Sequence, residues 1–162
     1  MKDRIQLKAL AKINLGLDVL RRREDGYHEV KMIMQTIGLH DDLEIRRTKT
    51  PGIQVKTNLY YLPTNENNLV YKAAKLLMDE FDIQDGVSIQ LKKRIPVAAG
   101  MAGGSSDGAA VLWGINQMYG LGLSRQELMD RGVKLGADVP YCIQRGTALA
   151  EGIGEKLSVL PS

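Results

Sequence analysis

The segment Pro96-Val97-Ala98-Ala99-Gly100-Met101-Ala102-Gly103-Gly104-Ser105-Ser106-Asp107 carries the residue types best suited to chemistry in this sequence. Small residues let a backbone bend sharply and approach a ligand closely. The N–H groups of such a loop, joined by those of a helix start, suit phosphate. Ser105 and Ser106 add hydroxyls that could cap the helix or reach a phosphate or a magnesium ion. The plainer reading is a tight strand-to-helix turn with a serine cap, and a bare Gly-Gly-Ser-Ser would favour it. The eleven residues from Pro96 to Ser106 shift the balance to phosphate binding. No Gly-Lys-Ser/Thr occurs, and the glycines lack the dinucleotide spacing.

Three other groups stand out. Lys12 and Asn14 alternate with Ile13, Leu15 and Leu17, which puts them on the polar face of a strand. By pattern alone that face is solvent-exposed surface. Asp138, in Gly136-Ala137-Asp138-Val139-Pro140, reads by pattern as the cap of a short turn before a buried strand. Tyr27 and His28 follow Asp25-Gly26, a hairpin signal, where a packed tyrosine and a surface histidine are the ordinary outcome. The only histidines are His28 and His40, and no Cys/His/carboxylate cluster has structural-metal spacing. Any magnesium is therefore expected to arrive with a nucleotide.

The elements that must position these residues are legible as periodicities. Ile5, Leu7 and Ala9, then Ile13, Leu15, Leu17 and Val19, alternate as strands. The chain returns through Val30, Met32, Met34 and Ile37, with further short strands at Leu43–Arg47 and Ile53–Lys56. Helical spacing predicts a helix over Asn68–Phe81, followed by a strand through Val87, Ile89 and Leu91. A second helix is expected from about Asp107 to Tyr119. A third opens on the capping box Ser124-Arg125-Gln126-Glu127, and Gly136 can close it. Thr147–Leu149 and Leu157–Leu160 read as strand. Strands first, then strands mixed with helices, indicate an α+β architecture.

The length of 162 residues fits one domain, with 44% hydrophobic and 25% charged residues. No apolar run approaches membrane-spanning length, and the start at Met1-Lys2-Asp3 has no secretory core, so a cytoplasmic location is expected. A single cysteine, Cys142, fits a reducing compartment. The net charge of +3 is spread over Arg21-Arg22-Arg23, Arg46-Arg47 and Lys92-Lys93-Arg94. A solvated basic face comes first among readings of these groups, attraction of an anionic small substrate second, and RNA binding third.

Taken in order, Ala11-Lys12-Ile13-Asn14-Leu15, Asp25-Gly26-Tyr27-His28, Asn68-Leu69, Pro96–Ser106 and Leu135-Gly136-Ala137-Asp138-Val139-Pro140 resemble the motifs of the GHMP kinases. This superfamily includes galactokinase, homoserine kinase, mevalonate kinase and phosphomevalonate kinase. The resemblance covers nearly the whole chain. It is closest to the branch that phosphorylates the 2-hydroxyl of a cytidyl-linked methylerythritol in non-mevalonate isoprenoid synthesis.

The resemblance implies a GHMP kinase N-terminal domain over residues 1–162, with the fold of a ribosomal-protein domain and room at its end for the first residues of a junction to a following domain. It implies ATP with Mg2+, and a small-molecule cytidyl substrate rather than nucleic acid or membrane. Lys12 and Asp138 are then the catalytic pair. Pro96–Ser106, Asn68 and Lys93 are placed at ATP, and Asn14, Tyr27, His28 and Met34 at the substrate. Tyr27 is expected to stack on cytosine, and Met34 stands where some relatives have an aromatic residue. The sequence ends at Pro161-Ser162 without a settled element. That end leads us to expect that a following domain is absent and that the isolated chain catalyses poorly. Another GHMP kinase, such as homoserine kinase, is the nearest alternative, and a basic RNA-binding module the alternative from another class.

Overall fold

The structure, a computed structural model, describes residues 2–161. Two long strands, β1 (Arg4–Arg22) and β2 (His28–Thr48), form an antiparallel ribbon. Each joins what the sequence suggests are two shorter strands. Register shifts between Leu10 and Lys12, Asn14 and Gly16, and Val19 and Arg21 absorb the breaks in alternation, as β-bulges do. There follow β3 (Gly52–Thr57), α1 (Leu69–Glu80), β4 (Gly86–Lys92), α2 (Gly103–Tyr119), α3 (Arg125–Gly132), α4 (Val139–Gln144), β5 (Thr147–Gly152) and β6 (Lys156–Val159).

The sheet order is β3-β4-β2-β5-β6, with β1 along β2. The length of β2 makes this possible. Asp42–Thr48 pairs with β4, while Val30–Gln35 pairs with β5. The β3–β4 pair is parallel, and α1 lies between these strands in the chain. This mixed sheet with helices fits the α+β expectation.

Alternation sets the two faces. In β4, Val87, Ile89 and Leu91 are buried while Gln90 and Lys92 are exposed. The buried set joins Leu43 and Ile45 of β2, Val70 and Leu77 of α1, and Val111, Leu112 and Ile115 of α2 in one core. The centre of α2 lies very close to the sheet. A Cβ at Gly114 would meet Leu7 Cδ1 at 2.6 Å and Ile45 Cδ1 at 2.8 Å, so a larger residue would lift the helix.

Helix ends follow their caps. Asn68 accepts from the Val70 amide, and Ser124 with Glu127 forms the expected capping box. The third helix ends at Gly132, four residues short of Gly136. Residues Val139–Gln144, expected as strand, are helical. Their four buried residues from Val139 to Cys142 mimic a strand run, but Pro140 fits a first helical turn.

The basic groups are largely paired with acids. Arg21 pairs with Glu29, Arg23 with Asp25, Arg46 with Glu44, Arg47 with Asp85 and Arg94 with Asp42. Among the described residues, no helix is long and apolar enough to cross a membrane.

Candidate functional site

The segment after β4 turns through left-handed backbone at Ala98 (φ 61°), Gly100 (φ 74°) and Ala102 (φ 56°). For the two alanines this conformation costs roughly 1 kcal/mol each. Helix α2 starts at Gly103, four residues before the expected Asp107, so Gly103–Ser106 form its first turn. Ala102 at the N-cap has no side chain to offer, and no side-chain cap bond forms. The serine-cap reading therefore fails. The Ser106 hydroxyl instead donates to Leu10 O at 2.6 Å, back into the β1 bulge, and is buried. That leaves the first-turn amides without side-chain acceptors, the arrangement that favours an anion.

The same bulge carries Lys12. Its backbone N–H donates to Met101 O at 3.1 Å, tying strand to loop. The side chain is only 5% exposed, so it is not strand surface, and its ammonium donates to Asn14 Oδ1 at 3.2 Å. In the β1–β2 register Lys12 lies opposite Thr36. The Thr36 hydroxyl meets the Tyr141 hydroxyl of α4 at 2.8 Å, and its backbone N–H and its hydroxyl both bond to Gly146. This link ties α4, with Asp138 at its start, to the strand position opposite Lys12.

Asp138 occupies the N-cap position of α4 yet makes no side-chain cap bond, so the capping role read from pattern is not fulfilled. Burial pushes the neighbouring Cys142 thiol up to about 12, with Asp138 adding to the shift and Lys12 opposing it. Both charges thus act on one buried thiol. The β5–β6 turn closes in from another side. A Cβ at Gly154 would lie 3.6 Å from Asp138 Oδ1 and 3.2 Å from Met32 Cε, so only a glycine leaves that space open.

Tyr27 and His28 sit at the far end of the β1–β2 ribbon, exposed, after a turn in which the Tyr27 amide donates to Asp25 Oδ1 at 3.0 Å. Asn14 is exposed on the same ribbon. Met34 departs from expectation. It is fully buried, opposite Asn14 in β1 and Ala148 in β5, and contributes to the core beneath the ribbon rather than to its surface.

Asn68 and Lys93 are likewise occupied. Asn68 accepts from Val70 N and donates to Pro63 O, fixing the loop before α1. Lys93 points inward, with Asp41 Oδ2 at 2.6 Å and Asp107 Oδ2 at 2.9 Å. Burial opposes the Lys93 charge, but the two carboxylates outweigh it and raise the ammonium pKa. Burial likewise lifts the Asp107 carboxyl, helped by its bond to Asp41, to about 8. Asp41 also feels burial, but bonds from Asp107, Lys93, Ile95 and Arg94 hold it below its ordinary value. Of the two acids, Asp107 is the one that holds a proton more readily.

Sequence reading passed over Asp41, Asp107, Thr36 and Tyr141. A signal for the first existed: period two places Asp41 on the face of Leu43 and Ile45, and Lys93 on the face of Ile89 and Leu91. A separate cavity of about 1130 Å³ runs past Lys8, Lys56, Lys92, Trp113 and Arg145, and of the residues singled out in the sequence as site candidates only Ser106 borders it. The candidate site is instead the region where the loop is tied to Lys12 through Met101 O and approaches the start of α4, a Cβ at Gly136 lying 3.9 Å from Ser105 Oγ. Among the described residues, no three acidic, histidine or cysteine side chains form a metal-binding group.

Residues 68–146 match the GHMP kinases N terminal domain family. The chain is 63% identical over 159 residues to a 4-diphosphocytidyl-2-C-methyl-D-erythritol kinase of Lachnoclostridium phytofermentans, covering 98% of this chain and 55% of that protein. It is 58% identical to the protein of that name from Lachnospira eligens, again over 98% of this chain and 55% of the relative. A crystal structure of 4-(cytidine 5'-diphospho)-2C-methyl-D-erythritol kinase matches with a TM-score of 0.83 and 38% identity, over 96% of this chain and 55% of that one. The chain thus spans about half the length of the curated relatives it matches. A glycine-rich first turn stitched to a buried strand lysine, within a fold and sequence shared this closely, places the chain in the GHMP kinase family, in correspondence with the N-terminal part of its members.

Proposed function

We propose that this chain provides the nucleotide loop and the reacting groups of a cytoplasmic kinase. The reaction moves the γ-phosphate of ATP to the 2-hydroxyl of 4-diphosphocytidyl-2-C-methyl-D-erythritol, a step of non-mevalonate isoprenoid synthesis. The observation that supports this reading is the uncapped first turn of α2, tied through Met101 to the strand that carries the buried Lys12, with a half-buried Asp138 that makes no cap bond. The relatives' names supply the substrate.

In this reading the amides of Gly103, Gly104 and Ser105 hold the phosphates, and the helix dipole favours their charge. Asp138 accepts the proton of the acceptor hydroxyl. Lys12 holds that hydroxyl and offsets charge at the reacting centre, with Asn14 fixing the ammonium. Phosphoryl transfer depends mainly on such positioning and charge stabilisation. Magnesium bound with ATP would neutralise phosphate charge. The described residues offer no acidic cluster for it, and of the two serines Ser106 is committed to Leu10 O, which leaves Ser105 as the hydroxyl available to it. Tyr27 and His28 receive the cytosine at the far end of the ribbon. Asn68 and Lys93 serve ATP indirectly, by fixing the loops on which it rests.

The test is turnover of the full-length protein with Mg·ATP and the cytidyl substrate. Asp138→Asn, nearly isosteric, should lower turnover by roughly 10²–10⁴-fold and leave ATP affinity in place. Turnover near that of the wild type would remove Asp138 from the chemistry. Equal phosphorylation of homoserine or mevalonate would refute the substrate assignment.

A further inference from the structure

Three ionisable side chains meet under the loop in a place where no ligand can touch them. The exposures of the Lys93, Asp41 and Asp107 side chains are 5%, 0% and 3%. Each belongs to a different part of the fold: Lys93 follows β4, Asp41 lies in β2, and Asp107 lies in the first turns of α2. The Asp41 carboxylate does two jobs. Oδ2 accepts from the Lys93 ammonium, while Oδ1 accepts from the backbone N–H of Arg94 at 2.6 Å and of Ile95 at 2.8 Å. Those two amides immediately precede Pro96, where the loop begins. Asn58 grips the same point from the other side, accepting from Lys93 N at 2.8 Å and donating to Lys93 O at 3.2 Å. At the far end of the loop, the ammonium reaches Asp107 and abuts Gly103, where a Cβ would lie 3.0 Å from Nζ.

We infer that Asp41 and Asp107 are positioning residues for the phosphate loop, acting through the Lys93 ammonium, which pins the loop's entry to its exit. The inference rests on the phosphate-binding reading of Pro96–Ser106. Between the two pins the loop is sparsely held. Val97–Gly100 are exposed, and the Lys12–Met101 bond is the interior tie to the rest of the fold that the described hydrogen bonds contain. A core that needed only volume here would do as well with apolar side chains, since burying charges costs desolvation that pairing merely offsets. One buried oxygen, Asp107 Oδ1, even goes without a partner. Apolar groups could not orient the Arg94 and Ile95 amides, or join the end of β4 to the first turns of α2. The Lys93 ammonium and its two acid partners therefore fix where the first-turn amides point, and that geometry is what a phosphate would read.

Kinetics of the full-length protein separate this role from plain packing. Asp107→Leu puts a larger apolar side chain of the same branching in place of the carboxyl and leaves the Asp41–Lys93 pair intact, but frees the exit pin. It should raise KM for ATP by about tenfold or more while KM for the cytidyl substrate stays within about twofold. Asp107→Asn should restore ATP binding to within about threefold of wild type, because its amide oxygen can still accept from the Lys93 ammonium. If Asp107→Leu does not fold, Asp41→Asn takes its place: it is isosteric, still accepts from both amides, and turns an NH2 group toward the ammonium. It too should raise KM for ATP selectively. A folded Asp107→Leu or Asp41→Asn protein with KM for ATP within about twofold of wild type overturns the inference. Gly104→Val serves as the control on the underlying reading, since a Cβ there meets nothing within 4 Å and intrudes only on the open face of the loop. ATP binding lost in Gly104→Val but kept in Asp107→Leu defeats the positioning role alone. ATP binding kept in Gly104→Val defeats the phosphate reading itself.

Discussion

Under the loop, at one end of the comparison, Asp41, Lys93 and Asp107 are at most 9% exposed and hold the loop through charged hydrogen bonds from three parts of the fold. At the other end, Tyr27 is 60% exposed and its turn is held by local bonds alone, from its amide to Asp25 and between Arg23 and Tyr27. The ribbon leading there carries Leu15, Leu17 and Val19 exposed by 60%, 54% and 60%. The contrast matches what each end is asked to do in the proposed reaction. Phosphate is the common part of the chemistry and small errors in its placement are costly, so its amides are fixed before binding. A base recognised by stacking tolerates an adjustable platform. In that reading the anchored end carries stability and the open end carries selectivity.

That division can be broken most severely at Lys93. Lys93→Met removes the cation from between two buried acids and should cost about 3–5 kcal/mol of folding stability, read from denaturant midpoints. A loss below about 1 kcal/mol would mean that the anchored end is not anchored by charge.

A smaller effect comes from pH. Folded Asp107 keeps its proton up to about 8, while the unfolded carboxyl releases it near its ordinary 3.8. The folded state therefore binds the extra proton between these values. Stability falls as pH rises through that window, at most by about 1.4 kcal/mol per pH unit, and levels off above it. Asp41, held below its ordinary value, contributes the opposite slope only at more acidic pH. Asp107→Asn should flatten the decline across the window between 3.8 and about 8. An unchanged slope in that variant would assign the dependence to other groups.

The smallest change in stability is expected at the open end. Tyr27→Ala should alter folding by no more than about 0.5 kcal/mol. It should still weaken the cytidyl substrate by about 1–3 kcal/mol, the range of base–aromatic stacking, with ATP binding unmoved. A stability loss matching that of Lys93→Met would erase the distinction between the two ends.

Much of this architecture is legible in the residues alone. Alternation in Val87, Ile89 and Leu91, the capping box at Ser124, and helical spacing from Leu69 to Phe81 each report a local preference, and each element forms where its period indicates. The small residues of Pro96–Ser106 announce a backbone able to bend, and the bend is there, although the helix takes up its last four residues. Even the buried charges are encoded, because period two aims Asp41 and Lys93 at the same interior as Leu43 and Leu91.

Only tertiary structure could decide which of those charges meet. Residues 41, 93 and 107 come together because β2 pairs with β4 while α2 packs against them, and no local pattern carries that pairing. The same holds for Lys12 and Asp138. By pattern one is strand surface and the other a helix cap. Sequence order keeps them far apart, and the Thr36–Tyr141 contact joins their elements. Periodicity sets which side chains share a face within an unbroken run, since that depends on their own backbone, and the bulges beside Lys12 and Asn14 break the run there. Which group it finds across the fold depends on bulges, register and crossovers, and these are settled by the packing of the whole core.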